Sequence, residues 1–183
     1  MPAPLLVTFA AGTAGDWRID RLEVKCGDGL PGASRLAVLE GVTVSVPVGT
    51  VWLLRGVTSN TRYTTRVEEQ ALVASQPALG RPEATRAALI PIRKTDEWWS
   101  LAQDERRAIF EERSRHIGTG LKYLPAVARR LHHCRDLGEP FDFLTWFEYA
   151  PEYSGAFEEL VDRLRGTEEW HYVEREVDIR LTR

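Results

Sequence analysis

The 183-residue sequence has few cysteines, no long basic run and no long hydrophobic segment. Cys26 and Cys134 are far apart and outside any C-x-x-C spacing, so they predict neither a disulfide framework nor a zinc site. The formal net charge of −3, without a basic run, argues against nucleic acid or an anionic membrane as the partner. No stretch approaches the roughly 20 apolar residues of a transmembrane helix.

The N-terminal stretch MPAPLLVTFAAG predicts a β-strand rather than a signal peptide. It lacks a basic segment, and its apolar run is at the short limit for a signal sequence. As a strand, it would place Leu5, Val7 and Phe9 on one face. We therefore expect a soluble, cytoplasmic protein. A chain of this length buries about 70% of its unfolded surface, so we expect one domain that needs no disulfide or metal to fold.

The pattern along the chain predicts an α+β fold. Strands separated by Gly, Pro and Asp are followed by a helix over about 64–76 and a strand in which Pro91 predicts a sheet edge or a bulge. From Thr95 a helical run extends to His116, and two strands, an amphipathic helix and a last strand follow. This order is compatible with two tandem ferredoxin-like halves, although no residue-level repeat is visible. Their sheets could pack together or close into a barrel with the helices outside.

His116 is the first candidate for chemistry. Helical spacing places it on one stripe with Ile109, Arg113 and Gly120. Gly118 and Gly120 would let a bulky group approach the backbone beside it. A lone histidine is more often structural or exposed than a ligand. The same applies to His132, His133 and His171, and the first two must point to opposite sides of their strand.

An imidazole that binds iron needs an oxygen acceptor for its other N–H group. Glu168 and Glu169, at the end of the last helix, are the candidates for that acceptor. A solvated helix end is the alternative role for both.

Arg129 is the second candidate. Strand alternation places it on one face with Val127, Leu131 and His133. A guanidinium on such an apolar face costs several kcal/mol unless it is paired or binds an anion. The sequence leaves two readings open, namely a buried salt bridge and an anion-handling arginine in a dry pocket.

Lys94, Trp98 and Trp99 form a third group. Tryptophans usually pack in a core or an interface, and a lysine at the end of a strand is usually solvated. Together the three could also hold a large, flat, acidic ligand, because indole N–H and ammonium groups can reach carboxylates at its rim.

Three segments of the chain resemble the chlorite dismutase family, and the short chain resembles its smaller, dimeric branch. The segments are IPIRKTDEWW, RHIGTGLKYLPAVARRLHH and FDFLTWFEYAP, and the resemblance covers roughly residues 50–183. It implies a single domain over 1–183, built as a dimeric α/β barrel from ferredoxin-like halves at about 1–94 and 95–183. It also implies a homodimer with a haem b cofactor that converts the small anion chlorite into chloride and dioxygen.

The resemblance also assigns roles around the iron. His116 matches the proximal iron ligand, thirteen residues before Arg129, which matches the distal arginine. Glu169 matches the carboxylate that accepts a hydrogen bond from that histidine, with Glu168 as the fallback. Gln76 matches a glutamine that steadies the distal arginine.

A further group matches residues that contact the cofactor. Lys94 and Trp98 resemble residues that contact the haem propionates. The same resemblance also places Asn60 and Tyr63 among the residues that contact the cofactor.

Two alternatives stay open. Coproheme decarboxylases of the same superfamily carry a catalytic tyrosine at the head of a Y-P-x-x-K stretch and no distal arginine. Here the stretch is IPIRK, so Ile90 stands at the tyrosine position, and Arg129 is present. A haem-binding or stress-sensing module without turnover is the other alternative.

Overall fold

The computed structural model describes residues 4–58 and 63–183. Its eight strands are β1 Leu6–Gly12, β2 Trp17–Cys26, β3 Arg35–Glu40, β4 Trp52–Thr58, β5 Arg86–Lys94, β6 Val127–His133, β7 Phe143–Tyr149 and β8 Val173–Thr182. Its α-helices are α1 Arg66–Ser75, α2 Asp96–Ser100, α3 Gln103–Arg107, α4 His116–Leu121 and α5 Ser154–Arg165. A π-helical segment, Ala108–Arg113, follows α3, and short 3-10 turns cover Arg135–Leu137, Pro151–Tyr153 and Glu168–Tyr172.

The strands form one closed antiparallel barrel in the order β1-β3-β2-β8-β5-β7-β6-β4. This confirms the α+β class and the closed barrel. The first four strands and the last four follow the same spatial order, β4-β1-β3-β2 and β8-β5-β7-β6. In the second half, helices connect β5 to β6 and β7 to β8, whereas the equivalent connections in the first half, residues 13–16 and 41–51, contain no helix.

Two hydrophobic clusters lie on opposite faces of the second-half sheet. One fills the barrel interior and includes Phe9, Leu89 and Trp146. The other, with Phe147 and Phe157, lies outside the barrel between this sheet and α5. Because β5 and β7 are buried on both faces, their sequences are nearly continuous apolar runs.

Pro91 does not lie at a sheet edge, so that part of the prediction is wrong. It sits inside β5, between β7 and β8 of the closed barrel. Residue pairs between β5 and β8 stop at Leu89 and resume at Ile92. Proline lacks an N–H group, and it is tolerated in this gap because no hydrogen bond to β8 is needed there.

The segment predicted as a helical run from Thr95 to His116 is helical over most of its length, but the expected continuity is wrong because the chain breaks it into short pieces. The π-helical segment widens the turn, and Arg115 then adopts a left-handed conformation with φ 52°. Arg113 therefore does not share a helical stripe with His116. The Arg113 side chain lies at the surface in an ion pair with Glu168. His116 therefore begins a new helix, α4.

Two further sequence predictions, one of a helix and one of a buried strand face, are confirmed. The predicted helix at about 64–76 is α1, and Val7 and Phe9 face the barrel interior. Cys26 and Cys134 are both free thiols. Among the described residues, no helix combines the length and the apolar character needed to cross a bilayer.

Candidate functional site

A cavity of about 790 Å³ lies between the outer face of β5, β6 and β7 and the helices that cover it. This volume is in the range of small-molecule and cofactor sites. All predicted site residues that the structure describes line this cavity, namely His116, Arg129, Gln76, Lys94, Trp98, Glu169 and Tyr63. The predicted Asn60 lies outside the described residues. Apolar side chains form much of the wall, among them Ile90, Ile92, Phe143, Phe147, Val161 and Leu164.

His116 is oriented by a carboxylate and by an aromatic ring. Its Nδ1 lies 2.6 Å from Oε2 of Glu169, and its ring stacks on Phe110 with centroids 4.5 Å apart. Because Nδ1–H is donated to Glu169, Nε2 is left with the lone pair that a metal requires. Of the two candidate acceptors, Glu169 occupies this position, whereas Glu168 pairs with Arg113 at the surface.

Glu169 is itself held by a second buried charge. Its Oε1 lies 2.8 Å from Nζ of Lys94, and both residues are almost fully buried. Burial raises the pKa of Glu169, but electrostatic attraction and hydrogen bonds from His116 and Lys94 outweigh it and hold that pKa at about 2. Burial lowers the pKa of Lys94, against the opposing charge of Glu169. The carboxylate behind the imidazole is therefore ionised.

The sequence did not predict this position for Lys94. Its ammonium contacts Glu169 and lies 4.3 Å from the ring centroid of Trp98, rather than being solvated at the end of β5. The propionate contact that the resemblance implies for Lys94 stays a prediction.

Two buried polar atoms on the cavity wall have no hydrogen-bond partner in residues 4–58 and 63–183. Trp98 Nε1 and Tyr63 Oη are enclosed and make no hydrogen bond within the described part of the chain. Leaving such groups unsatisfied costs about 1–3 kcal/mol each. A ligand with acceptor atoms at this end of the cavity would satisfy both groups, as the resemblance predicts for haem propionates.

Arg129 faces the cavity from β6, on the strand face that the sequence predicted, beside Leu131 and His133. Its guanidinium forms no ion pair or hydrogen bond with any residue in the ranges 4–58 and 63–183. The enclosing protein lowers the pKa of Arg129 to about 10, and the negative charge of Glu111 acts against that shift. The side chain is thus a cation at neutral pH. Of the two readings of Arg129, the buried salt bridge does not occur among the described residues, and the anion-handling role stays a prediction.

The two glycines of α4 make room for charged groups. A Cβ at Gly120 would lie 1.9 Å from Nη1 of Arg129, and a Cβ at Gly118 would lie 3.3 Å from Oε1 of Glu111. The bulky groups that approach this backbone are therefore a guanidinium and a carboxylate of the chain itself. Glu111 was missed by the sequence reasoning, although Gly118 was a signal of a close approach.

Gln76 contacts Arg129 through the main chain. Its Nε2 donates to the backbone carbonyl of Arg129, and it also ends helix α1. The contact fixes the strand rather than the guanidinium.

Helix α1 forms one wall of the cavity but buries none of its own residues. A capping box of Thr65 and Glu68 starts the helix. Glu68 also forms a two-pronged ion pair with Arg107 at 2.7 and 2.9 Å. Arg107 stabilises the Glu68 carboxylate and so lowers its pKa. This tether was not predicted from the sequence.

Comparison with known proteins gives consistent matches. The sequence model of the family described as "Chlorite dismutase" matches residues 37–183. The crystal structure of a dimeric chlorite dismutase from Nitrobacter winogradskyi is 58% identical, covers 97% of this chain and 99% of its own, and superposes with a TM-score of 0.89. The chlorite dismutase of Candidatus Nitrospira defluvii in complex with imidazole shares the fold, with a TM-score of 0.65 at 20% identity over 98% of this chain and 91% of that chain.

A chlorite dismutase from Ideonella dechloratans is 35% identical over 75 residues. That match covers 41% of this chain and only 24% of the relative.

Proposed function

This chain belongs to the chlorite dismutase family, and from that premise we propose that it is a haem b-dependent enzyme that converts chlorite into chloride and dioxygen. One observation carries the proposal. His116, oriented by Glu169, lines the same cavity as Arg129, a cation whose guanidinium makes no ion pair or hydrogen bond within the described part of the chain.

The residues present fit a haem. His116 would ligate the iron through Nε2, because Nδ1 is committed to Glu169. Trp98 Nε1 and Tyr63 Oη, which make no hydrogen bond to the residues that the structure describes, would donate to the propionates. Lys94 and Asn60 are further proposed contacts. Apolar residues such as Ile90 and Phe147 would pack against the flat faces of the ring.

The bound haem would supply the redox chemistry that breaks and forms the bonds to oxygen. The ionised Glu169 would keep the His116 imidazole in one tautomer and increase its donation to the metal. Lys94 holds the charge on Glu169 in a buried site. Lys94, Glu169 and His116 thus form the proposed support of the iron on the side of its histidine ligand.

Arg129 would act on the substrate. A cation in a largely apolar cavity attracts a small anion more strongly than one in water, because the local dielectric is low. It would orient chlorite and then retain hypochlorite, the species left when chlorite gives up one oxygen atom. If hypochlorite is retained, its oxygen atom can bond to the one that chlorite gave up, and chloride and O₂ are then released. Gln76 would steady the strand that carries Arg129.

The proposal includes two ferredoxin-like halves and a homodimer. The identical strand order of the two halves supports the first. The second is supported by the 58% identical relative, which is described as dimeric. Light scattering tests it, and a monomer at micromolar concentration would contradict it. A cytoplasmic location stays a prediction from the sequence.

Oxygen evolution is the direct test. We expect haem-loaded protein to release O₂ when chlorite is added, and haem-free protein to release none above background. Haem uptake without O₂ would support the non-catalytic haem-binding alternative. Incubation with iron coproporphyrin and peroxide tests the decarboxylase alternative, which Ile90 and Arg129 disfavour. Product formation in that assay would contradict the proposal.

A further inference from the structure

Glu111 occupies the N-terminal end of the helix that carries the proposed iron ligand. It lies in the π-helical segment before α4. Its Oε2 accepts the N–H of Ile117 at 2.6 Å, and its Oε1 accepts the N–H of Gly118 at 3.1 Å. Both amides lie in the first turn of α4, where no partner exists within the helix. Arg115 precedes this helix in a left-handed conformation and makes no side-chain cap.

The same carboxylate is electrostatically linked to Arg129 on β6. Its negative charge acts on the Arg129 guanidinium, which packs against Gly120 at the other end of α4. Helix α4 therefore presents His116 at its start and seats Arg129 at its end. Both functional groups depend on where this six-residue helix lies.

We propose that Glu111 is the positioning residue of the site: by capping α4 it holds the His116 imidazole against Glu169 and keeps Gly120 in place under Arg129. The inference rests on the proposed function only where it treats His116 as the iron ligand.

A carboxylate is needed for this contact because two N–H groups converge on it. A glutamine would offer one acceptor oxygen and would turn its NH₂ group towards the second N–H donor. Glu112, the next residue, is exposed to solvent. Glu112→Gln makes the same change in charge and serves as the matched control.

The first measurement uses the full-length chain without haem. In Glu111→Gln we expect amide hydrogen exchange at Ile117 and Gly118 to be about tenfold faster than in Glu112→Gln, since a charge-assisted hydrogen bond is lost. We also expect the proton resonance of the His116 Nδ1–H to shift or broaden, because the imidazole no longer has one fixed position. Unchanged exchange would overturn the proposal. Faster exchange with an unchanged resonance would also overturn it.

Glu111→Asp covers the case in which Glu111→Gln does not fold. It keeps the charge but shortens the reach, so it can serve only one of the two amides. Exchange and resonance equal to wild type in this variant would overturn the proposal.

The second measurement uses haem-loaded protein. We expect the haem dissociation constant of Glu111→Gln to be about tenfold above that of Glu112→Gln, and equal constants would overturn the role of Glu111 toward the cofactor. If wild-type protein takes up no haem, the proposed function fails. The exchange and resonance measurements then decide on Glu111 alone.

Discussion

Lys94 and Glu169 form a buried ion pair, with Nζ 2.8 Å from Oε1 and only 2% and 3% of the two residues exposed. The other oxygen of Glu169 lies 2.6 Å from Nδ1 of His116. The pair thus fixes the charge of the group behind the imidazole. A buried pair of this kind is costly to break, because removal of one partner leaves an uncompensated charge.

Lys94→Met tests the structural value of the pair. Methionine keeps much of the side-chain volume but removes the ammonium, and Glu169 then keeps the hydrogen bond to Nδ1 of His116 but loses its buried cation. We expect the free energy of unfolding to fall by about 3 kcal/mol in urea titrations at pH 7. Lys122→Met, at an exposed position, should change it by less than about 0.5 kcal/mol. Equal losses in the two variants would contradict the prediction.

The pH dependence of stability should report on Glu169. Its pKa is about 2 in the folded protein against an ordinary value of 4.5. Such a group contributes stability that is present above pH 4.5 and is lost as the pH falls towards 2. The difference corresponds to about 3 kcal/mol.

We therefore expect Glu169→Gln to lose less stability than wild type between pH 5 and pH 2.5, in denaturant titrations at both values. Glu168→Gln is the matched control, because Glu168 pairs with Arg113 at the surface. It should follow the wild-type curve. A Glu169→Gln curve parallel to wild type would show that the carboxylate is not stabilised in the folded state.

Local patterns in the sequence predicted the elements that local physics determines. Alternation placed Arg129, Leu131 and His133 on one face of β6, and all three line the cavity. Helical spacing predicted α1. These patterns reflect which side of an element is buried, and this can be read from neighbouring residues.

Features set by contacts distant in sequence were not predictable in the same way. The edge predicted at Pro91 fails because the barrel closes, and closure depends on all eight strands. The helical run to His116 is interrupted because Arg115 adopts a left-handed conformation and Glu111 caps the next helix. Lys94 looked solvated at the end of a strand, yet Glu169, far along the chain, encloses it.

The candidate site came from both kinds of reasoning. The residues alone singled out His116 and Arg129 but left their roles open. The family resemblance added Gln76 and Tyr63 and selected Glu169 over Glu168, and the structure brings these described residues to one cavity. Neither the residues alone nor the family resemblance predicted the contacts of Glu111 or the ion pair between Glu68 and Arg107. Neither contact could be inferred without the three-dimensional structure.

Gly120→Ala tests the seat of Arg129. The added methyl group would meet the guanidinium, which is the flexible end of a side chain, so we expect Arg129 to move rather than the fold to fail. Haem uptake should stay near wild type, while azide binding to the haem-loaded protein should weaken several-fold.

The control for this variant is Gly155→Ala in α5, where a Cβ would meet nothing within 4 Å. It makes the same helical substitution, for which a gain of about 0.5–1 kcal/mol in stability is expected, and should leave azide affinity unchanged. Azide binding in Gly120→Ala equal to that in Gly155→Ala would show that the guanidinium does not depend on this glycine.

Arg129→Ala separates attraction of the anion from its retention. Without the cation, chlorite is less concentrated at the cavity, so we expect the initial rate of O₂ release to fall at least about tenfold. Hypochlorite would also escape more often and attack the haem, so the haem absorbance should bleach after fewer turnovers.

Arg163→Ala, which removes an exposed arginine paired with Glu159, is the control. An oxygen electrode and an absorbance trace on the same sample measure both effects. A slower rate with unchanged haem lifetime would leave attraction as the role of Arg129 and exclude retention, because only escape of the oxidant couples the lost charge to bleaching.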